Sequence, residues 1–192
     1  MQIINSAIEK YADHMSTPVD AILYELEKET YQKVLQPNML SGSYQGQLLS
    51  IISKVKKPDA ILEIGTYTGY STICLAQGLK KNGVIHTLEI NEELKSIQDK
   101  YFKKCNLDKF IYQHLGNAKE TLPKLDKRFD LLFIDADKKN YRNYIDATYH
   151  LLNPGALVLT DNVLWKGKVI EPDQTDKMAH YIHQFNQYLA DH

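Results

Sequence analysis

Ile61-Leu62-Glu63-Ile64-Gly65-Thr66-Tyr67-Thr68-Gly69-Tyr70-Ser71 is the stretch that decides how this chain is read. An apolar run leads into a turn marked by two glycines, and a helical pattern follows. Glycine lets a backbone turn tightly and approach a ligand closely. The start of the next helix offers amide hydrogens that have no partner within the helix. The spacing is G-x-x-x-G, not the G-x-G-x-x-G of a dinucleotide fingerprint. Glu63 stands just before the first glycine, where a pyrophosphate would need donors instead. An acidic loop suits a ligand with a positively charged amino acid end.

Outward from this stretch, the chain alternates. Short apolar runs at 60–64, 84–89, 110–115, 130–135 and 156–161 read as strands. Helical patterns lie between them at 70–79, 92–105, 118–125 and 141–152. Strands that alternate with helices give a parallel sheet covered on both faces, a doubly wound Rossmann-like α/β fold. Three earlier segments are also helical in pattern: 2–14; 18–35, with a start signal at Ser16-Thr17-Pro18; and 43–55, closed by Lys56-Lys57-Pro58. No linker or repeat separates them from the rest. Residues 1–57 are therefore expected to form a helical cap on a core of 58–192, in a single domain.

Composition sets the outer bounds. A chain of 192 residues with 43% hydrophobic and 24% charged residues can bury a core and is not a disordered one. A net charge of -1 calls for neither nucleic acid nor an anionic membrane. Cys74 and Cys105 are too few for a disulfide framework and are expected as free thiols in a reducing compartment. Met1-Gln2-Ile3-Ile4-Asn5 shows no secretory pattern, and no apolar run approaches membrane-spanning length, so the expectation is a cytoplasmic protein.

Ligands of such sheets bind beyond the carboxyl ends of the strands, and four of those ends carry acids: Glu63, Glu89, Asp135 and Asp161. Each alone reads more readily as a cap or a solvated turn; four together point to a site. Glu89 ends the second strand, where a carboxylate holds a ribose diol. That fits NAD and S-adenosylmethionine alike, and the glycine spacing speaks against NAD. The loop Gly116-Asn117-Ala118 either lies beside an adenine or simply turns into a capped helix. Asp135, Asp161 and Asn162 together offer hard oxygen ligands for Mg²⁺ or Ca²⁺; the bland alternative for Asp161-Asn162 is an Asx turn. Lys138 is a general base if a cation lies beside it, and otherwise a solvated surface lysine.

These motifs resemble the metal-dependent S-adenosylmethionine O-methyltransferases, the family of catechol and caffeoyl-CoA O-methyltransferases and their bacterial relatives. The resemblance runs from about residue 39 to residue 167. It rests on Met39-Leu40-Ser41-Gly42, Gln45-Gly46-Gln47, the Leu62–Ser71 loop, Ile134-Asp135-Ala136-Asp137-Lys138 with Asn140-Tyr141, and Asp161-Asn162-Val163-Leu164-Trp165. It implies a class I methyltransferase fold with S-adenosylmethionine held by Ser41, Glu63, Gly65, Tyr67, Ser71, Glu89, Ala118 and Asp135. It implies a divalent cation (Mg²⁺, with Ca²⁺ or Mn²⁺ as alternatives) on Asp135, Asp161 and Asn162, and Lys138 as the general base. The acceptor it implies is a small catechol-like hydroxyl compound, and the assembly a homodimer.

Two departures stand out. Lys166 occupies a position where the plant caffeoyl-CoA enzymes carry an asparagine, so that acceptor is not carried over. The resemblance also implies two antiparallel strands after the fifth, whereas 176–192 is helical in pattern. Rival readings are a tRNA wobble hydroxyuridine methyltransferase, a catalytically silent S-adenosylmethionine binder and, last, a nicotinamide dehydrogenase. Tyr44, Tyr141, Tyr144 and Trp165 are candidates for an aromatic acceptor wall, or else ordinary core residues.

Overall fold

The computed structural model describes residues 5–192. Three helices come first: α1 (Ser6–Met15), α2 (Ala21–Lys33) and α3 (Gly42–Lys56). The helix expected over 2–14 is α1; residues 2–4 of that expectation lie outside the described residues. α2 starts later than the Ser16-Thr17-Pro18 signal because the cap is Asp20, whose Oδ1 accepts the Ile22 amide at 2.8 Å. α3 stops at Lys57, a left-handed residue with φ 50° whose amide donates to Ser53 O. The apolar residues of α3 divide between two faces. Leu49 is buried, while Tyr44, Leu48, Ile51 and Val55 face outward.

The sheet has five parallel strands in the order β3-β2-β1-β4-β5. They are β1 (Ala60–Ile64), β2 (Val84–Glu89), β3 (Ile111–Leu115), β4 (Phe129–Ile134) and β5 (Leu152–Thr160). β1 sits at the centre, paired at Ile61 with Ile85 on one side and Leu131 on the other. Every residue of β1 is buried, which is why it reads as a continuous apolar run and not as an alternation. β5 starts earlier than the expected 156. Leu152 pairs with Phe129, and a register shift before Leu131 takes up Asn153-Pro154-Gly155, which carry no apolar signal.

Helices α4 (Tyr70–Ala76), α5 (Lys95–Lys104), α6 (Ala118–Thr121), α7 (Tyr141–Thr148) and α8 (Lys177–Ala190) complete the layers. One core, with Leu26, Leu75 and Phe102, places α2, α4 and α5 over one face. The other, with Leu62, Ile134, Tyr141 and Phe185, places α7 and α8 over the opposite face. Among the described residues no strand follows β5, and the chain continues to α8, which buries Ala179, Ile182 and Phe185. No helix among them is long and apolar enough to cross a membrane. Cys74 and Cys105 are free thiols.

Candidate active site

One cavity of ≈ 1550 Å³ opens at the carboxyl ends of the strands. Its wall takes in the ends of β1, β2 and β5, the loops that follow all five strands, and the segment Asn38–Ser41 ahead of α3. Two chemically different ends meet in it.

The first end is the loop between β1 and α4. Gly65 has φ 106°, and a Cβ there would lie 2.3 Å from Asp135 O. Only glycine lets this loop pass so close to the loop after β4. Gly69 has φ 92°, and a Cβ there would lie 2.5 Å from the Phe102 ring. Between them, Tyr67 is a left-handed residue at φ 50°, a conformation that costs a side-chain-bearing residue about 1–2 kcal/mol. It is held there. Its amide donates to Glu89 Oε2 at 2.7 Å, its carbonyl accepts from Gln98 Nε2 at 2.6 Å, and its hydroxyl donates to Gln36 O at 3.2 Å. Glu89 Oε1 accepts the Asn91 amide at 2.9 Å. Burial pushes the Glu89 carboxyl upward, and these backbone donors oppose the shift.

Glu63 lies behind this loop, not in it. The residue is 0% exposed and does not reach the cavity wall. Its oxygens accept from Ser71 Oγ at 2.6 Å, Thr72 Oγ1 at 2.5 Å and Thr87 Oγ1 at 2.6 Å. Burial pushes its carboxyl up to about 7 against those three hydroxyls. Ser71 both lines the cavity and donates to Glu63, so it stands between Glu63 and the cavity.

The second end is formed by the loops after β4 and β5. The Asp135 amide bonds Ile64 O at 2.9 Å and the Asp161 amide bonds Ile134 O at 3.0 Å, which sets the two acids at neighbouring strand ends. Lys138 Nζ lies 2.7 Å from Asp135 Oδ1. Burial pushes the Asp135 carboxyl up, Lys138 pulls it down, and Asp161 beside it pushes it up again. Tyr141 donates its hydroxyl to Asp161 O at 3.1 Å. Asn162, Trp165 and Lys166 all have positive φ, so the backbone after β5 is strained next to the acids. Asp137 is already engaged, accepting from the Tyr144 hydroxyl and from Asn140 Nδ2.

Ser41, Gly65, Tyr67, Ser71, Glu89, Ala118, Asp135, Lys138, Asp161 and Asn162 all line this single cavity, and Glu63 alone of the expected residues does not. Of the aromatic candidates, Tyr144 and Trp165 line it. Tyr44 is 52% exposed on the outer face of α3, and Tyr141 is 0% exposed, with its ring packed edge-on to Phe185. Their helical positions, not their type, decide this. Gln98, which donates to Tyr67 O, is not among the residues expected from the sequence. The signal for it was available: a polar residue on the buried face of α5, beside Ile97, Tyr101 and Phe102.

Comparison with known proteins agrees with this geometry. The O-methyltransferase family model matches residues 13–192. The chain is 31% identical, over 98% of its length and 86% of the relative's, to a catechol O-methyltransferase of Niastella koreensis. It is 32% identical to caffeoyl-CoA O-methyltransferase 2 of Zea mays, over 89% of this chain and 69% of that one. The solved O-methyltransferase from Bacillus cereus, in complex with SAH, superimposes with a TM-score of 0.90 at 32% identity, covering 97% of this chain and 86% of that one. TomG from Streptomyces achromogenes, in complex with SAM, gives 0.88 at 29% identity, covering 97% and 85%. The chain belongs to the O-methyltransferase family and is an enzyme of that kind.

Proposed function

We propose that this O-methyltransferase takes its methyl group from S-adenosylmethionine and, with the help of a divalent cation, transfers it to one hydroxyl of a small catechol-like diol. The observation that carries the reading is the joining of two unlike ends in one cavity: the Gly65–Tyr67–Glu89 end and the Asp135–Asp161–Asn162–Lys138 end. The first suits a ligand with an amino acid end and a ribose. Ser71 faces the cavity with Glu63 behind it, and Glu89 keeps lone pairs free beyond its two backbone bonds.

The second end suits a hard cation. Among the described residues no group of three or more His, Cys, Asp or Glu converges. The donors here are two carboxylates and an amide oxygen, with room for water or substrate, and they match Mg²⁺, Ca²⁺ or Mn²⁺ far better than zinc. Asp161 pushes the neighbouring Asp135 carboxyl up, and such a pair of adjacent acids is also a place where positive charge is favoured. When bound there, a divalent cation supplies the charge that lowers the pKa of an acceptor hydroxyl. Lys138 then has the acid–base role. Its Nζ, 2.7 Å from Asp135 Oδ1, stands beside the acids of that cation site and is the group that would take the hydroxyl proton. The rest is alignment of the two ligands, which can save roughly 7–11 kcal/mol of barrier.

The test is incubation of the purified protein with S-adenosylmethionine and a catechol panel that includes caffeate and caffeoyl-CoA, with Mg²⁺ or with EDTA. Methyl gain is read by mass spectrometry. Methylation that EDTA abolishes is expected. Methylation unaffected by EDTA overturns the cation's role. Cofactor binding without methylation of any catechol moves the acceptor to the hydroxyuridine of a tRNA.

A further inference from the structure

Gln98 sits on the buried face of α5 at 1% exposure, among Ile97, Tyr101 and Phe102. A buried amide is normally bonded at both ends. This one is not: Nε2 donates to Tyr67 O at 2.6 Å, while Oε1 has no partner. An orphan buried carbonyl lowers stability, so folding alone gives no reason for glutamine here. The one bond it does make falls on the carbonyl of a left-handed tyrosine in the ligand loop. With the Tyr67 amide held by Glu89 and the carbonyl by Gln98, both soft torsions of that residue are fixed. The Tyr67 hydroxyl in turn reaches Gln36 O, in the segment that leads to Met39 and Ser41 on the cavity wall. Phe102, one helical turn after Gln98, packs under Gly69 and forms the floor of the same loop.

We infer that Gln98 is a positioning residue for the cofactor: by clamping the Tyr67 carbonyl from α5, it holds the loop in its binding conformation before the ligand arrives. The inference rests on the reading that this cavity takes S-adenosylmethionine. Without the clamp, Tyr67 relaxes from φ 50° toward the favoured negative region, and its ring leaves the wall.

The test is Gln98→Met, which keeps the length and helix propensity of the side chain and removes the orphan oxygen along with the donor. Gln98→Leu serves if the first variant folds poorly. Amide hydrogen exchange of the ligand-free protein is expected to quicken at Tyr67 and its neighbours while α5 stays protected. The melting temperature is expected to be equal or higher. Calorimetry with S-adenosylhomocysteine is expected to show a Kd raised about 10-fold, the scale of one lost buried hydrogen bond. With turnover, KM for the donor rises more than kcat falls. Unchanged exchange at Tyr67, or a lower melting temperature with unchanged Kd, overturns the inference and leaves Gln98 a packing residue. If the native protein itself fails to bind S-adenosylhomocysteine, the cofactor reading falls, and the exchange experiment, which needs no ligand, still decides whether the clamp exists.

Discussion

The two ends of the cavity are stabilised in opposite ways. At the β1 end nearly every polar group is already satisfied. Glu63 has three hydroxyl donors, Tyr67 is held at amide, carbonyl and hydroxyl, and Glu89 takes two amides. At the β4–β5 end charge is left over. Burial and Asp161 raise the cost of ionising Asp135, and Lys138 offsets it. The first end is finished before a ligand comes, and its cost was met in folding. The second is poised, and in the proposed function a cation completes it. Affinity for the cofactor should therefore reside at one end and chemistry at the other, and a substitution should damage one without the other.

Asp161→Ala gives the largest expected effect and the sharpest division. It removes one oxygen of the proposed cation site and a like charge beside Asp135, but keeps the backbone carbonyl that accepts from Tyr141. Methyl transfer is expected to fall by at least ~10³-fold, the scale of losing electrostatic stabilisation at a reacting oxygen. Kd for S-adenosylmethionine is expected to stay within about threefold (~0.6 kcal/mol), and the melting temperature not to fall. Turnover and calorimetry on one preparation check this. Loss of cofactor binding in proportion to activity would erase the division between the two ends.

How far the sequence revealed each end follows from the same contrast. Ala60–Ile64 and Val84–Glu89 were legible to the residue, because central parallel strands bury both faces and read as unbroken apolar runs. The early part of β5 was not legible, because a bulge breaks its pattern at Asn153-Pro154-Gly155. At the site, Asp135, Lys138 and Asp161 were legible because strand ends are where a parallel sheet presents ligands. The position of Glu63 was misjudged for a local reason. In β1 it is the residue beside Thr87 and Phe133, so the strand's pleat directs it to the core face under α4 and not to the open end. Gln98 and the aromatic wall depend on which helical face turns inward, and that is settled by tertiary packing.

Gly65→Ala should erode the contrast from the other direction, since this residue joins the two ends. Its Cβ would meet Asp135 O at 2.3 Å from a backbone at φ 106°. The loop after β1 and the loop after β4 would have to separate. Destabilisation of about 3 kcal/mol is expected, read by urea unfolding, with loss of both cofactor affinity and activity in the remaining folded protein. A variant as stable as the native chain would show that the approach of the two loops is not what requires glycine.

The smallest effect concerns Glu63, and it asks whether the finished end is finished with a neutral acid or with a carboxylate. Its carboxyl is raised from 4.5 to about 7 by burial. An acid whose folded pKa is raised contributes stability that is present below its unfolded value and is lost as the pH rises through the folded one. The window is therefore 4.5 to about 7, with stability falling by at most about 3 kcal/mol across it. His86 works in the opposite sense. Burial first, and His114 beside it, push its imidazole down to about 4. Its contribution is present above 6.5 and is lost as the pH falls through about 4, so the native curve alone mixes the two. Subtracting the unfolding free energies of Glu63→Gln from those of the native protein, at steps from pH 4 to pH 8, cancels His86 and leaves Glu63. A difference that declines between 4.5 and 7 means that near neutral pH the carboxyl keeps a proton, which one of its three hydroxyl neighbours must accept. Ser71 is the one that also faces the cavity, so the ligand's amino end would then meet a hydroxyl backed by a neutral acid. A flat difference means three donors suffice to hold a full negative charge at 0% exposure, and the β1 end, like the β4–β5 end, would wait for a cation to complete it.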